Sequence, residues 1–379
     1  MKIAFVYDAV YPWIKGGAEK RVYELAKRLA ARDHDVHWYC VGWWWPENGK
    51  KDIEMDGIKL HGVCKPVDLY VEDRRSITEA VYFAWKLLFK LPAGKFDIVD
   101  CQGFPFFSCF TAKFRTFFGR SALVITLHEV WNQYWYEYLG KAGFFGKLTE
   151  KLMVNLTGKI ITVSDKTKED LGEIKPSETA VIIPNGIDLD EINNIHPYTV
   201  RSDILFVGRL IKEKNTDLLL KSLVEVKKVY PIVKCTIIGE GPEKKQLESL
   251  TSELELEKNV EFLGFMEQHE DVIAHMKSSR VLVLPSSREG FGIVVLEANA
   301  CGVPVVVVDH PMNAAKDLIK QGVNGFIAET TSKSLKDKIV EGLNSGKEMR
   351  DTSKEFAKDY NWNKIIKQLE ITYWEFLLK

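Results

Sequence analysis

Short apolar runs alternate with amphipathic stretches along most of the chain. Residues 3–7 form an apolar run that predicts a buried strand. The stretch after it predicts a helix with one apolar face, because apolar residues recur three or four positions apart at Val22, Leu25, Ala26 and Leu29. This helix and a second strand at 36–41 predict a parallel sheet with helices on its faces. Further strands of this first half are predicted at 98–100, 123–127 and 160–163.

The alternation restarts after a polar, irregular stretch at 193–202, which we interpret as a linker between two domains. Beyond it, strands are predicted at 204–207, 234–238, 260–263, 281–284 and 305–308, and helices at 217–230, 243–254, 267–277 and 292–300. This regularity predicts a second doubly wound domain over 203–355, after a first domain over 1–192. The C-terminal segment is 356–379, and its aromatic-rich stretch from Trp362 to Leu378 predicts an amphipathic helix.

Composition excludes several classes of protein. A chain of 379 residues is too long for one ordinary core and suits two domains. The 52 lysines and arginines nearly balance the 53 aspartates and glutamates, which argues against binding nucleic acid over a large surface. Six scattered cysteines resemble neither a zinc site nor a disulfide framework. Because no apolar run has the length of a signal peptide or a membrane span, we expect a cytoplasmic protein that is soluble or peripheral to a membrane.

Candidate chemistry lies in the loops after the predicted strands, because open parallel sheets bind ligands beyond the carboxyl ends of their strands. The densest motif, 285–298, follows a strand and opens a helix. Gly290 and Gly292 would let backbone amides approach a ligand, and the helix start suits an anionic phosphate. The carboxylates of Glu289 and Glu297 could bind two different parts of one elongated ligand. In the alternative interpretation, Glu289 caps the helix and Glu297 is a solvated surface residue.

Two further loops have sequence features that indicate phosphate binding less specifically. Gly208-Arg209 is followed closely by Lys214, so a bidentate guanidinium and a point charge could bind one phosphate group. An ordinary charged turn would have the same composition. Gly16-Gly17 forms a glycine turn before a helix but lacks the three spaced glycines of a dinucleotide-binding fingerprint.

Two polar positions complete the set of candidates. His128 ends a strand and could hydrogen-bond a sugar hydroxyl or an acceptor, or could be structural. Asp188 and Asp190 form an Asp-x-Asp pair, which we interpret as turn and cap residues because no other carboxylates cluster near them. No metal site is predicted.

Taken in this order, the motifs resemble those of the family 4 retaining glycosyltransferases, which have the GT-B architecture. The most specific piece is the pair Glu289 and Glu297, separated by seven residues around Gly290-Phe291-Gly292. Supporting pieces lie at 207–209, 213–214, 239–242, 262–264 and 302–304. The resemblance implies two Rossmann-like, doubly wound α/β domains that face a cleft, with a C-terminal helix crossing back to the first domain.

The resemblance also implies a role for each candidate residue. Arg209 and Lys214 are expected to hold the donor diphosphate, and Glu297 the ribose hydroxyls. Glu289 and His128 are expected to lie beside the transferred sugar. The other expected donor contacts come from Gly16, Gly17, Gly208, Leu263, Phe265, Gly290, Phe291 and Gly292.

Three positions depart from the family pattern. Lys15 takes the first place of the usual three-glycine loop, and Glu129 replaces the aspartate that usually follows the histidine. After the valine-rich strand, 309–315 lacks the usual glycine pair and acidic residue. His310 or Asn313 is the expected substitute for the phosphate contacts of that loop.

The resemblance implies a hexosyltransferase of glycan biosynthesis that takes a UDP- or GDP-type sugar, retains the anomeric configuration and requires no metal or other cofactor. A glycan or a lipid-linked molecule is the expected acceptor. A sugar-nucleotide epimerase or a non-catalytic nucleotide-sugar-binding protein would share the diphosphate grip and stays an alternative. Basic-aromatic stretches at 82–90 and 104–120 suit contact with a membrane interface. The same aromatics could instead fill the core or form a dimer contact.

Overall fold

The computed structural model describes residues 1–71, 74–176, 178 and 180–378. The chain divides into two compact units. The first comprises Met1–Asn185 together with Trp362–Lys379, and the second is Gly186–Asn361. Within the described residues, no helix is both long and apolar enough to cross a membrane.

Eight strands of the first unit form one sheet, which is parallel except at one edge. The strands of this unit are β1 Lys2–Val6, β2 Asp35–Cys40, β3 Asp52–Met55, β4 Ile58–Gly62, β5 Tyr70–Val71, β6 Arg74–Arg75, β7 Ile98–Gln102, β8 Ala122–Leu127, β9 Ile160–Thr162 and β10 Val181–Ile182. The sheet order is β10-β9-β8-β7-β1-β2-β4-β3, in which β3 runs antiparallel to β4. Strands β5 and β6 form a separate two-stranded pair.

Helices cover both faces of this sheet. They are α1 Gly17–Ala30, α2 Trp45–Asn48, α3 Ile77–Lys90, α4 Phe107–Phe117, α5 Tyr134–Leu139, α6 Gly143–Val154 and α7 Asp165–Gly172. Alternate residues of β1 point to opposite faces, as the pleat of a strand requires. Ile3 and Phe5 pack in a core with α1, whereas Ala4 and Val6 pack in a core with α3, α4 and α6. The first unit is therefore a three-layer α/β domain.

The second unit has six parallel strands in the order β13-β12-β11-β14-β16-β18. Its strands are β11 Ser202–Val207, β12 Cys235–Ile238, β13 Val260–Gly264, β14 Ser279–Leu284, β15 Arg288–Glu289, β16 Val305–Asp309, β17 Met312–Asn313 and β18 Gly325–Glu329. Its helices are α8 Leu189–Asn194, α9 Thr216–Val229, α10 Lys244–Glu253, α11 His269–Lys277, α12 Ile293–Ala300, α13 Ser332–Leu343 and α14 Lys347–Ala357. This strand order is that of a doubly wound dinucleotide-type fold.

The chain then returns to the first unit with α15 Trp362–Leu378. Trp362, Ile366 and Tyr373 are buried in the same core as α1. The return begins at 362, six residues later than the start of the predicted segment 356–379.

The segment 193–202 differs from the predicted linker. Helix α8 begins before it, and Asp188 caps this helix because its carboxylate accepts a hydrogen bond from the Glu191 amide at 3.0 Å. Ile192 is buried, and the second unit already starts at Gly186. The polar composition of 190–202 therefore belongs to a capped surface helix and the loop after it.

Candidate functional site

The sheet of the second unit has a switch point between β11 and β14. The chain continues from β11 to β12 on one side, and from β14 to β16 on the other. Ligands of doubly wound sheets bind at such a point, beyond the carboxyl ends of the strands. The loop after β11 carries Arg209 and Lys214, and the loop after β14 carries Glu289 and Gly292. Four predicted donor residues thus follow two neighbouring strands.

Polar contacts hold these two loops together. The ammonium group of Lys214 lies 2.5 Å from a carboxylate oxygen of Glu289, and both side chains are mostly buried. The side-chain amide of Asn215 donates to the Pro285 carbonyl oxygen at 3.1 Å. Asn215 adopts the left-handed conformation, with φ of 47°. Arg209 is exposed at the end of β11. A cation and a carboxylate are therefore fixed side by side, with a second cation on the same loop.

Gly292 begins α12 in a conformation that favours glycine. Its φ is 88°, and a Cβ atom there would lie 2.6 Å from the Cβ atom of Ala315. No side chain caps the helix at this position, and the Val295 amide donates to the Gly292 carbonyl at 3.0 Å. The amides of Ile293 and Val294 at the helix start are therefore the ones suited to an anion. The ring of Phe291 is buried, and its centroid lies 6.3 Å from that of Tyr360 in an edge-on arrangement.

Glu297 is not the solvated surface residue of the alternative interpretation. Only 6% of Glu297 is exposed, and its carboxylate lies 3.1 Å from Nε2 of His269, the first residue of α11. Nor does Glu289 cap α12, since Gly292 holds that position. His269 was not predicted as part of the site, because the sequence around a single histidine at a helix start does not show which side chain it contacts. A buried carboxylate that keeps a second oxygen beside an imidazole ring is suited to accepting hydrogen bonds from hydroxyl groups.

Glycines bring the ends of the neighbouring strands close together. The Gly208 amide donates to the Ile238 carbonyl at 3.0 Å, and the Gly239 amide donates to the Gly264 carbonyl at 2.8 Å. A Cβ atom at Gly239 would run into the Gly208 carbonyl oxygen. Leu263 is half-buried before Gly264, whereas 52% of Phe265 after it is exposed. Leu263 and Phe265, two of the expected donor contacts, thus lie at the same edge of the sheet as Gly208.

The loop after β16 corrects one expectation. Asn313 is fully buried, and its amide group donates to the Val308 carbonyl at 2.9 Å and accepts from the Ala315 amide at 3.1 Å. Because both ends of this side chain hold the fold, Asn313 is a structural residue and not a substitute phosphate ligand. His310 is half-buried in the same loop.

Two family models match the chain. The first half matches the model described as Glycosyltransferase Family 4 over residues 15–191. The second half matches the model described as Glycosyl transferases group 1 over residues 190–359. The chain belongs to the family 4 glycosyltransferases.

Relatives and solved structures agree with this assignment. An uncharacterised glycosyltransferase of Methanocaldococcus jannaschii is 26% identical over 375 residues, which cover 96% of each chain. The sucrose-phosphate synthase of Thermosynechococcus elongatus superposes with a TM-score of 0.81 at 19% identity, over 99% of this chain and 98% of that one. HepE of Anabaena, in complex with UDP-glucose, has a TM-score of 0.76 at 19% identity, over 99% and 100%. The fold is therefore the GT-B fold of nucleotide-sugar-dependent glycosyltransferases.

In this glycosyltransferase, the other candidates lie at the carboxyl edge of the first unit's sheet. Gly16 and Gly17 open α1 after β1, and a Cβ atom at Gly16 would collide with the Glu19 carboxylate. That carboxylate accepts a hydrogen bond from the Tyr7 hydroxyl at 2.9 Å. Gly17 has open space around its Cα atom. A ligand would therefore meet the Gly17 backbone more easily than the Gly16 backbone.

His128 follows β8, and its ring contacts a side chain of the neighbouring strand β7. Its Nε2 atom lies 2.8 Å from the side-chain oxygen of Gln102. Burial, with a smaller effect from the Arg21 charge, lowers the pKa of His128 to about 3. The imidazole is therefore neutral at physiological pH. Gln102 and Asp100 were not predicted as site residues, although two polar residues within the otherwise apolar strand β7 could have indicated a functional role.

Proposed function

We propose that this glycosyltransferase transfers a hexose-type sugar from a nucleotide-diphosphate sugar to a glycan or lipid-linked acceptor, with retention of configuration and without a metal ion. The observation that carries the proposal is the Lys214–Glu289 pair at the switch point, between exposed Arg209 and the open start of α12. A bound diphosphate would there meet two cations and a helix N-terminus. A carboxylate would lie beside the sugar that the diphosphate carries.

The chemistry follows from the charge that develops. When the bond between the anomeric carbon and the diphosphate breaks, negative charge grows on the leaving group. Arg209, Lys214 and the first amides of α12 are preorganised donors for that charge, and they need no metal to act. Domain closure in enzymes of this kind excludes water and so suppresses hydrolysis of the donor.

Retention is proposed to arise by attack of the acceptor on the face from which the diphosphate leaves. The carboxylate of Glu289 is already engaged by Lys214 at 2.5 Å, which reduces its nucleophilicity. This contact favours a role for Glu289 in binding sugar hydroxyls over a covalent intermediate. Trapping of a glycosyl adduct on Glu289 would contradict this part of the proposal.

The donor is tested first by thermal shift with UDP-, GDP- and ADP-sugars in the presence of a chelator. UDP-glucose is the first candidate, since it is the ligand of the similar HepE structure. Binding to the native state alone raises the melting temperature by mass action. We expect one nucleotide class to stabilise the protein, Arg209→Ala to abolish the shift, and Lys212→Ala to keep it. Lys212 is an exposed lysine of the same loop.

Product analysis then separates the alternatives. A sugar-nucleotide epimerase would convert the donor in the absence of any acceptor, and a non-catalytic binding protein would show the shift without turnover. A donor shift that needs added divalent metal would contradict metal independence.

The acceptor side is proposed to include an anionic bilayer surface. Helices α3, α4 and α6 cover the same face of the first sheet, and their outer sides expose large apolar residues. We call this the aromatic face, and it comprises Ile77, Val81, Trp85, Phe89, Phe114, Phe117, Phe145, Leu148 and Leu152. A surface of this kind suits insertion at the level of lipid headgroups.

The charges on the aromatic face are of one sign. The acidic residues of α3, α4 and α6 are Glu79 and Glu150, and both are buried. The basic residues of these helices all lie at least partly exposed, at Lys86, Lys90, Lys113, Arg115, Lys147 and Lys151. Two copies of such a face would repel each other, whereas an anionic bilayer would attract it. Part of the aromatic stretches fills the core instead, for example Phe83 and Phe106.

Vesicle flotation tests this docking. We expect binding to phosphatidylcholine vesicles that contain phosphatidylglycerol, and little binding to phosphatidylcholine alone. Trp85→Ser with Phe89→Ser should weaken binding, whereas Ile232→Ser should not, because Ile232 is an exposed apolar residue of the second unit, outside the aromatic face. Equal binding to both vesicle types, or to neither, would contradict docking on anionic lipid.

A further inference from the structure

A hydrogen-bond chain runs through the core of the first unit from α15 to His128. The Tyr373 hydroxyl donates to one carboxylate oxygen of Asp100 at 2.6 Å. The side-chain nitrogen of Gln102 donates to the other oxygen at 3.1 Å. The side-chain oxygen of Gln102 lies 2.8 Å from Nε2 of His128. Tyr373, Asp100 and Gln102 are all at most 2% exposed, so their partners are fixed by packing.

Asp100 determines which way the Gln102 amide points. The carboxylate also accepts a hydrogen bond from the Thr126 hydroxyl at 2.8 Å, so three donors converge on it. Burial raises the pKa of Asp100 above its usual value, and these hydrogen bonds and the charge of Arg21 offset only part of that effect. Because Asp100 accepts from both hydroxyls and from the Gln102 nitrogen, the oxygen of the Gln102 amide is turned towards His128.

The Gln102 oxygen in turn determines the tautomer of His128. An amide oxygen has no proton to give, so Nε2 of His128 must be the donor in the 2.8 Å contact. A neutral imidazole carries one proton, which leaves the lone pair on Nδ1. No residue in the described part of the chain hydrogen-bonds this Nδ1 atom.

We infer that Gln102 is a positioning residue, which fixes His128 in the tautomer whose Nδ1 accepts a hydrogen bond from a hydroxyl group of the bound sugar. This inference rests on the proposed function and on the expectation, implied by the family resemblance, that His128 lies beside the transferred sugar. It assigns His128 the role of a hydrogen-bond acceptor. It excludes His128 as the acid that protonates the leaving group, because the ring has no proton at Nδ1 to give.

Nitrogen NMR of the imidazole rings tests the inference directly. The full-length protein is labelled with ring-¹⁵N histidine at neutral pH, and the His128 signals are assigned by their loss in His128→Asn. The wild type should show the Nε2–H tautomer. Gln102→Leu removes the acceptor, so the tautomers should mix, and kcat/KM should fall roughly 10-fold, as expected for one buried hydrogen bond.

Two further variants separate positioning from general damage to the core. Gln102→Glu keeps an acceptor opposite Nε2–H, and a proton on its second oxygen can replace the amide donor to Asp100, so it should retain the tautomer. Tyr373→Phe removes a hydrogen bond from the same Asp100 carboxylate and leaves the Gln102 amide untouched, so it too should retain the tautomer. If the folded Tyr373→Phe variant also loses the tautomer, then packing of the core in general, and not Gln102, determines the tautomer. That result would overturn the inference.

The inference is also overturned if His128 of the wild type carries its proton on Nδ1, or if Gln102→Leu leaves the spectrum unchanged. Failure of the proposed function has a different signature. In that case the expected tautomer would be present, but no nucleotide sugar would yield transfer to any acceptor.

Discussion

Lys214 and Glu289 come from loops that are 75 residues apart in sequence, yet they form one ion pair at the switch point. We expect Arg209→Ala and Lys214→Ala each to lower kcat by about 10²–10³, because each removes a preorganised donor to the leaving diphosphate. Steady-state kinetics with the cognate donor measure the effect. Lys212→Ala is the matched control, since it removes an exposed lysine of the same loop. Near-wild-type turnover in both Arg209→Ala and Lys214→Ala would contradict the proposed role of these two cations in binding the diphosphate.

Glu79 is a residue whose ionisation should control the stability of the first unit. It is 4% exposed, and burial, followed by the charge of Asp8, raises its pKa from 4.5 to about 9. Between these two pKa values the unfolded chain loses the proton that the folded protein keeps. The contribution of Glu79 is therefore fully present below pH 4.5 and is lost as the pH rises towards 9.

Glu79→Gln should raise the free energy of unfolding at pH 8 by on the order of 2 kcal/mol, and the gain should vanish near pH 4.5. Tryptophan fluorescence during denaturant unfolding is the suitable measurement, because all ten tryptophans belong to the first unit. Glu137→Gln, an exposed position on α5, should change little at either pH. A pH-independent gain would show that Glu79 acts through packing and not through its charge.

At the residue scale, the sequence allowed candidate side chains to be chosen but not their partners. Arg209, Lys214, Glu289 and Glu297 could be selected because charged residues after apolar strands are unusual enough to notice. The contact between Glu297 and His269 depends on how α11 packs against α12, and the sequence carries no local trace of it.

Among the elements, the loop that starts α12 depends most on a single residue. Gly292→Ala would place a methyl group at φ of 88° and 2.6 Å from the Cβ atom of Ala315. We expect it to destabilise the second unit by about 2 kcal/mol or more and to weaken nucleotide-sugar binding. Calorimetry with and without donor measures both effects. Gly346→Ala, which meets no atom within 4 Å, should stay within about 0.5 kcal/mol of the wild type.

Helices and strands were predictable where apolar residues recur at a single spacing along the chain, and were not predictable where that spacing is obscured. The strands and helices predicted between residues 204 and 308 lie within a few residues of their predicted positions, because apolar runs and amphipathic stretches alternate there without interruption. Strand β18 and helices α13 and α14, which follow in the same unit, were not predicted. Helices α3 and α4 were not predicted as elements, since apolar residues on their exposed sides hide the helical period. The β3–β4 hairpin was missed despite its Asp56-Gly57 turn, where both residues have positive φ.

For the whole molecule, the two units differ in how the chain builds them. The second unit is one continuous segment, Gly186–Asn361, whereas the first needs α15 from the far end. We expect a fragment of residues 186–361 to fold and to bind the donor nucleotide, because the switch-point loops lie wholly within it. Circular dichroism and the same thermal-shift screen test this. A disordered fragment would show that the second unit depends on the first.

The fragment 1–185 should behave differently. Without α15 it exposes the core around α1 and leaves the Asp100 carboxylate without the Tyr373 hydroxyl. We expect it to aggregate, or to bind a hydrophobic dye, until a peptide of residues 362–378 is added. Cooperative unfolding of 1–185 by itself would contradict a structural role for α15.

This discontinuity also has a consequence during synthesis. A ribosome produces β1 to β10 first, then the complete second unit, and only afterwards α15. The second unit can therefore fold while the chain is still being made, whereas the first cannot complete the core around α1 until α15 follows. We therefore expect a chaperone to bind the nascent first unit more than any later state, and a slower-translated stretch before residue 362 to lengthen the time for which this core stays incomplete.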